Sequence, residues 1–256
     1  MTQKSSRPLG IDVGGSGIKG APVNLETGEF AAERVRIETP EKSTPEAVAD
    51  VIAQIIDQFD EVDDDAPVGI TIPGVVTHGV VRSAANIDKR WIDFDAKQLF
   101  EERLGRTVHV VNDADAAGLA EVRYGAAKGK DGFVILTTLG TGIGIALIYN
   151  GVLIPNAELG HLELDCHDAE SRASSGAREA EGLSYEDWAV RLQRYYSHLE
   201  NLLWPDLFVV GGGISKKSKK FLPMLDLRTP IIPAALLNTA GIVGAAVLAA
   251  EDATQR

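Results

Sequence analysis

The chain has 256 residues, 45% of them hydrophobic and 24% charged, the balance of an ordinary globular protein. No apolar run is long enough to span a bilayer. Lys and Arg total 25 against 37 Asp and Glu, and with the resulting charge of −12 long-range attraction to nucleic acid is not expected. A single cysteine, Cys166, excludes an intramolecular disulfide and a multi-cysteine zinc site. The polar start, Met1 to Pro8, lacks the apolar core of a secretion signal, so a reducing cytoplasm is expected.

In chain order, Leu9 to Val13, Gly20 to Leu25 and Ala31 to Glu38 read as a three-stranded meander, with a turn at Glu26-Thr27-Gly28. A helix begins at Ser43 or Thr44 with Pro45 in its first turn. Its Val48, Val51, Ile52, Ile55, Ile56 and Phe59 fall on one face. Glu61 to Asp65 is a solvated acidic loop, and Pro67 to Val76 a strand interrupted by Pro73-Gly74. Asp95 to Leu104 reads as a short helix and Thr107 to Val111 as a buried strand. The pattern then restarts with a strand pair, Phe133 to Thr138 and Ile143 to Tyr149. A long helix from Ser184 to Leu203 carries Trp188, Leu192, Tyr195, Leu199 and Leu203 on one side. Leu207 to Val210 is a buried strand, and Ala240 to Glu251 a helix of small residues suited to close packing. Such a pattern, begun twice, predicts a duplicated α/β fold.

Three strands run into glycines. Asp12-Val13-Gly14-Gly15-Ser16-Gly17-Ile18-Lys19 combines a carboxylate, a turn predicted to need positive φ, a hydroxyl and a mobile cation. Successive amides there make a nest for phosphate oxygens, and Mg²⁺ fits between phosphate and the Asp12 carboxylate. The plain alternative is a Gly-rich hairpin. The spacing matches neither the Walker loop nor the dinucleotide fingerprint. The others are Leu139-Gly140-Thr141-Gly142-Ile143-Gly144 and Val209-Val210-Gly211-Gly212-Gly213-Ile214-Ser215. Just after the last come Lys216, Lys217, Lys219 and Lys220, a solvated surface or an anion track. Asn112 and Asp113 follow a strand, where ligands gather in open α/β sheets, although such a pair also serves as a helix N-cap.

Together the DxGxxxxK start, the LGTGxG turn and the PDxxVxGGGIS segment resemble the phosphate and adenosine motifs of actin-like sugar kinases, and within them the ROK group. The resemblance extends from Leu9 to the last helix. It implies a ribonuclease H-like or actin-like ATPase fold with two α/β lobes and a cleft. The lobe limits it suggests are 1–113, joined by about 240–256, and 114–239.

The resemblance also assigns roles. Asp113 matches the catalytic base, with Asp115 the rival, and Asn112 a sugar ligand. Glu158-Leu159-Gly160-His161 matches the E-x-G-H motif, whose Glu158 and His161 bind sugar hydroxyls. Glu170 matches a further sugar ligand in E-x-x-A-S, and Asn86 one in an N…W loop that ends at Trp91. Asp12, Gly14, Gly15, Ser16, Lys19, Gly140, Thr141, Gly142, Gly212 and Gly213 would bind phosphates, Asp12 holding Mg²⁺ through water.

One departure is plain. The family's CxCGxxGC zinc motif is missing, and His161, Cys166 and His167 are poorly spaced for tetrahedral zinc, so no zinc is expected. This absence, GGSGIKGAPV and GHxExxxHDAExRAS resemble the polyphosphate-using glucokinases of the group. The implied activity is phosphoryl transfer from polyphosphate and ATP to the 6-hydroxyl of glucose, mannose being a further acceptor. An ATP-only hexokinase acting on glucose, mannose or fructose is the alternative. A sugar-sensing repressor would need a helix-turn-helix ahead of Asp12, and only eleven residues stand there. The resemblance alone implies a homodimer, while charge, apolar content and cysteine usage lead to the expectation of a cytoplasmic protein with neither nucleic-acid nor membrane partners.

Overall fold

The computed structural model describes residues 7–84 and 87–254. Asn86, a sequence-expected sugar ligand, lies outside the described residues. The chain forms two compact units, Met1–Ala120 with Thr239–Arg256, and Glu121–Asn238.

The first unit opens with β1 (Leu9–Gly14) and β2 (Gly17–Asn24), paired antiparallel with Asp12 opposite Lys19 and Gly14 opposite Gly17. The third strand of the expected meander is shorter than read. β3 (Glu29–Phe30) and β4 (Val35–Ile37) pair with opposite ends of β2, so the chain between them bends from one end to the other. Helix α1 (Pro45–Ile56) is capped by Thr44, whose hydroxyl accepts from the Ala47 amide at 3.2 Å. Its periodic apolar face is buried, together with Phe59 beyond its end.

β5 (Val68–Ile72) lies parallel to β1 and is buried along its whole length, as expected of a central strand. A small sheet of β6 (Val76–Thr77), β7 (Val80–Val81) and β8 (Phe94–Asp95) follows. Helix α2 (Ala96–Leu104) is capped at its start by Asp95 and closed by Gly105 at φ 63°. Trp91 from the N…W segment is wholly buried, its Nε1–H donating to the Ser43 carbonyl at 2.8 Å. β9 (Val108–Asn112) runs parallel to β5 and delivers the chain directly into α3 (Asp113–Arg123).

In the second unit, β10 (Phe133–Leu139) and β11 (Ile143–Tyr149) pair antiparallel around the second glycine turn. They are followed by β12 (Val152–Ile154), the hairpin β13 (Glu163–Leu164) and β14 (His167–Asp168), and helices α4 (Glu170–Ala173), α5 (Ser175–Ala180) and α6 (Tyr185–Leu203). β15 (Leu207–Gly211) and β16 (Ile231–Pro233) complete a sheet of order β12-β11-β10-β15-β16. The buried rings of Trp188, Tyr195, Tyr196, Phe208 and Phe221 fill its core. Burial of so many aromatics is a large share of this unit's hydrophobic stabilisation.

The last helix, α7 (Ala240–Thr254), belongs to the first unit and packs on β1 and β5. Small residues permit backbone contact. A Cβ on Gly10 or Gly69 would lie 1.9 Å from the carbonyl oxygen of Ile242 or Ala245 respectively.

Candidate active site

The first glycine motif is a hairpin with Gly15 and Ser16 as its two-residue turn. Contrary to the sequence expectation, Gly14, Gly15 and Gly17 do not adopt positive φ. The small residues serve space instead. A Cβ on Gly17 would meet Arg36 Nε at 2.6 Å, whereas nothing lies within 4 Å of one on Gly15. Arg36 also donates to the Ser16 carbonyl at 2.7 Å, fixing the turn from below.

Across the hairpin, Lys19 Nζ lies 3.3 Å from Asp12 Oδ2. Thr71 Oγ1, from the adjacent β5, donates to Asp12 Oδ1 at 3.0 Å and accepts from the Val13 amide at 3.2 Å. Thr71 was missed by sequence reading because only sheet pairing brings it there. The Asp12 side chain is 23% exposed. Its contact with Lys19 is longer than a strong charge-assisted bond, and a partly exposed carboxylate is a donor of the oxygen type that Mg²⁺ takes.

Asn112 and Asp113 sit at the junction of β9 and α3. The Asn112 carbonyl accepts from the amides of Ala114 at 2.8 Å and Asp115 at 3.1 Å, and its Nδ2 donates to the Gly74 carbonyl at 3.1 Å. It therefore caps α3 and ties it to the loop after β5, retaining one amide hydrogen for a ligand. Asp113 is half-buried, while Asp115 is only 1% exposed. One Asp113 oxygen accepts from the Ala114 amide at 2.9 Å. Of the two carboxylates, Asp113 is the more exposed.

In the second unit the structure brings Glu158, His161 and Glu170 together. His161 Nε2 lies 3.8 Å from Glu158, and its Nδ1 is 3.9 Å from Glu170. A fourth residue, Asp168, accepts the His161 Nδ1–H bond at 2.9 Å. It also caps the Glu170 amide at 3.1 Å. In the sequence Asp168 stands inside the GHxExxxHDAExRAS segment with no role that spacing assigns. Its meaning depends on the β13–β14 hairpin, which turns through Asp165 and Cys166 at φ 53° and 60° and carries Asp168 back toward His161.

The hydrogen bond that His161 donates to Asp168, helped by the surrounding carboxylates, raises the His161 pKa above its ordinary value. Burial raises that of Glu158, with His161 opposing. His161, Asp168 and Glu170 each offer a ligand atom within 4.8 Å of the others. A proton already joins two of them. Cys166 and His167 are exposed and stand outside this group.

Glu170 connects these residues to the second glycine turn. Its Oε2 accepts from the Ile143 amide at 2.9 Å, and a Cβ on Gly142 would lie 2.3 Å from that oxygen. Gly142 is thus required by the carboxylate behind it. Gly160 is held similarly, 2.2 Å being the distance from its Cβ to the Ile143 carbonyl. On the other side, Gly176 in the first turn of α5 donates to the Gly140 carbonyl at 2.9 Å. Gly140 itself has open space above it.

At the third cluster, Gly212 does need its freedom, with φ 79° and a Cβ position 2.5 Å from the Leu139 carbonyl. Gly213 is open. From there Gly213–Lys220 forms a 3₁₀ helix, kinked at Lys217, with Lys216, Lys217, Lys219 and Lys220 all exposed.

Residues 8–179 match the model of the ROK family. The polyphosphate glucokinase of Mycobacterium tuberculosis (strain CDC 1551 / Oshkosh) is 53% identical over 247 residues, covering 96% of this chain and 92% of that protein. Among solved structures, the inorganic polyphosphate/ATP-glucomannokinase of Arthrobacter sp. strain KM is 55% identical with a TM-score of 0.92, over 97% of this chain and all of that one (100%). A ROK glucokinase from Streptomyces griseus, solved with glucose and AMPPNP, is 27% identical with a TM-score of 0.79, over 96% of this chain and 99% of that one. The likeness extends over nearly the whole chain and includes its mixed α/β sheets, so the fold is that of the actin-like ATPases, and the chain belongs to the ROK family.

Proposed function

We propose that this chain transfers the terminal phosphoryl group of inorganic polyphosphate, and of ATP, to the 6-hydroxyl of glucose. The observation that carries this reading is the 53% and 55% identity, nearly end to end, with two proteins named for that donor.

Asp113, half-buried at the start of α3, accepts the proton of the attacking hydroxyl. The bond from O6 to phosphorus forms as the bond from phosphorus to the donor's bridging oxygen breaks. Amides of the Gly14–Ser16 and Gly140–Gly142 turns, with Ser16, Thr141 and Lys19, orient the donor phosphates. Mg²⁺, held through water by Asp12, would neutralise charge on the transferred group. Glu158, His161 and Glu170, with the remaining Asn112 amide hydrogen, bind sugar hydroxyls, because each can pair with vicinal groups. Gly212 and Gly213, with the lysines beyond, face the distal part of the donor. We further propose a cytoplasmic homodimer.

The test is a glucose 6-phosphate assay with each donor supplied separately, with mannose as a second acceptor. Product from both donors is expected. Product from ATP alone would convert the reading to an ATP-only hexokinase, and no product from either would end it. Asp113→Asn should lower kcat about 10²- to 10⁴-fold, with glucose binding by calorimetry retained. A variant keeping more than about a tenth of kcat would move the base elsewhere.

A further inference from the structure

Arg178 lies two residues beyond the helix turn that hydrogen-bonds to Gly140, and its guanidinium carbon stands 4.1 Å from the centroid of the Tyr185 ring. From the other end of the second unit's sequence, Lys220 Nζ reaches the same ring at 5.3 Å. Tyr185 is itself stacked parallel on Phe221, with centroids 6.4 Å apart and planes inclined by 8°. Phe221 is wholly buried and packs on buried Trp188. An aromatic platform rooted in the core therefore brings together two cations from distant segments.

Among the described residues these cations have no carboxylate partners. Arg191 and Arg194 are each clamped by a carboxylate, Glu181 at 2.6 Å and Asp165 at 2.7 Å. Among the described residues, Arg178 and Lys216, Lys217, Lys219 and Lys220 make no ion pair, and the buried Arg178 Nε–H donates no hydrogen bond. A buried donor without an acceptor is costly, and five unpaired cations in a chain of charge −12 run against its overall balance. Stacking on Tyr185 holds the guanidinium plane in place while leaving its terminal N–H groups available for phosphate oxygens. Among the described residues, Lys220 is the one lysine of the four that reaches the tyrosine ring.

We propose that Arg178, Tyr185 and Lys220 form an anion-binding station for a linear polyphosphate. It continues the donor path from the Gly140–Gly142 turn toward the lysine run. This rests on the polyphosphate reading above and adds residues to its donor site. A repeating polyanion gains from each further cation along its length, whereas ATP has fewer charges to place.

The experiment compares wild type with Arg178→Gln/Lys220→Gln, measuring KM for long-chain polyphosphate and for ATP at saturating glucose. We expect KM for polyphosphate to rise about tenfold, as for loss of a charge-assisted contact, and that for ATP to change less than about twofold. Equal changes for both donors, or none, would overturn the station. Arg178→Lys supplies a second variant for the case that the glutamine protein fails to fold. It keeps the charge and loses the planar fork, so an intermediate rise specific to polyphosphate is expected, and a wild-type KM would count against the proposal. Direct binding of long-chain polyphosphate to wild type and variants, measured by calorimetry, separates the two readings. Undiminished binding by the variants refutes the station. Polyphosphate binding by wild type that the double variant loses, without phosphoryl transfer, supports the station and refutes the donor reading.

Discussion

His161 shows how one side chain couples the candidate sugar site to pH. Its Nδ1–H is held by Asp168 at 2.9 Å, with Glu170 and Glu158 close by, and its pKa is raised. A basic group with a raised folded pKa contributes stability that is complete below its unfolded pKa, about 6.5, and is lost as pH rises through the folded value. The Glu158 shift, caused first by burial, has the same sign at lower pH, because the protonated form is favoured in the fold. About half of the His161 side chain is exposed (51%), so solvent screens the effect. Urea unfolding between about pH 6 and about pH 8.5 should show wild type losing stability relative to His161→Gln as pH rises. Parallel curves would mean that the imidazolium has no preferential hold in the folded state.

Glycines that look alike in the sequence separate once the elements are assembled. Gly69 faces α7, and a methyl there would collide with the Ala245 carbonyl at 1.9 Å. Gly69→Ala must displace a helix backbone, so a loss of about 3 kcal/mol or more is expected by denaturant unfolding. Gly15 has nothing within 4 Å of its Cβ position and no positive φ. Gly15→Ala should fold within about 0.5 kcal/mol of wild type yet raise KM for either phosphate donor, since its methyl occupies the open space above the turn. An unaffected KM would remove this turn from the donor path.

The same contrast shows how far the sequence was legible. Local pattern foretold α1, α2, α6 and the buried strands, because amphipathic spacing and capping by Thr44, Asp95 and Ser184 decide those elements. Glu158, His161 and Glu170 were legible as motif residues, and the structure groups them. Thr71, Asp168 and Arg178 were not. Their significance comes from partners supplied by a neighbouring strand, a hairpin return or a distant aromatic ring. The positive φ expected at the first turn also failed, because tight sheet packing, with Arg36 against Gly17, selects glycine there.

For the molecule as a whole, the charge distribution decides which donor feels the solvent most. A net −12 repels a polyanion at long range, so on the proposed donor path capture falls to the local positive field of Arg178 and the four lysines, none of which pairs with a carboxylate among the described residues. Added salt screens the repulsion within about 10 Å at ~0.1 M, but it also opposes release of counterions from the polyphosphate chain. By analogy with single-stranded nucleic acids, each neutralised phosphate contributes roughly 0.7 to the slope of log affinity against log salt. Engagement of all five cations would therefore give a slope on the order of 3 to 4 for long polyphosphate. ATP, reaching fewer of them, should show a much shallower dependence. Kinetic titrations of both donors across a salt series, with Mg²⁺ and glucose saturating, check this. A common slope would place both donors on the glycine turns and Lys19 alone, and would return the lysine run to the role of a solvated surface.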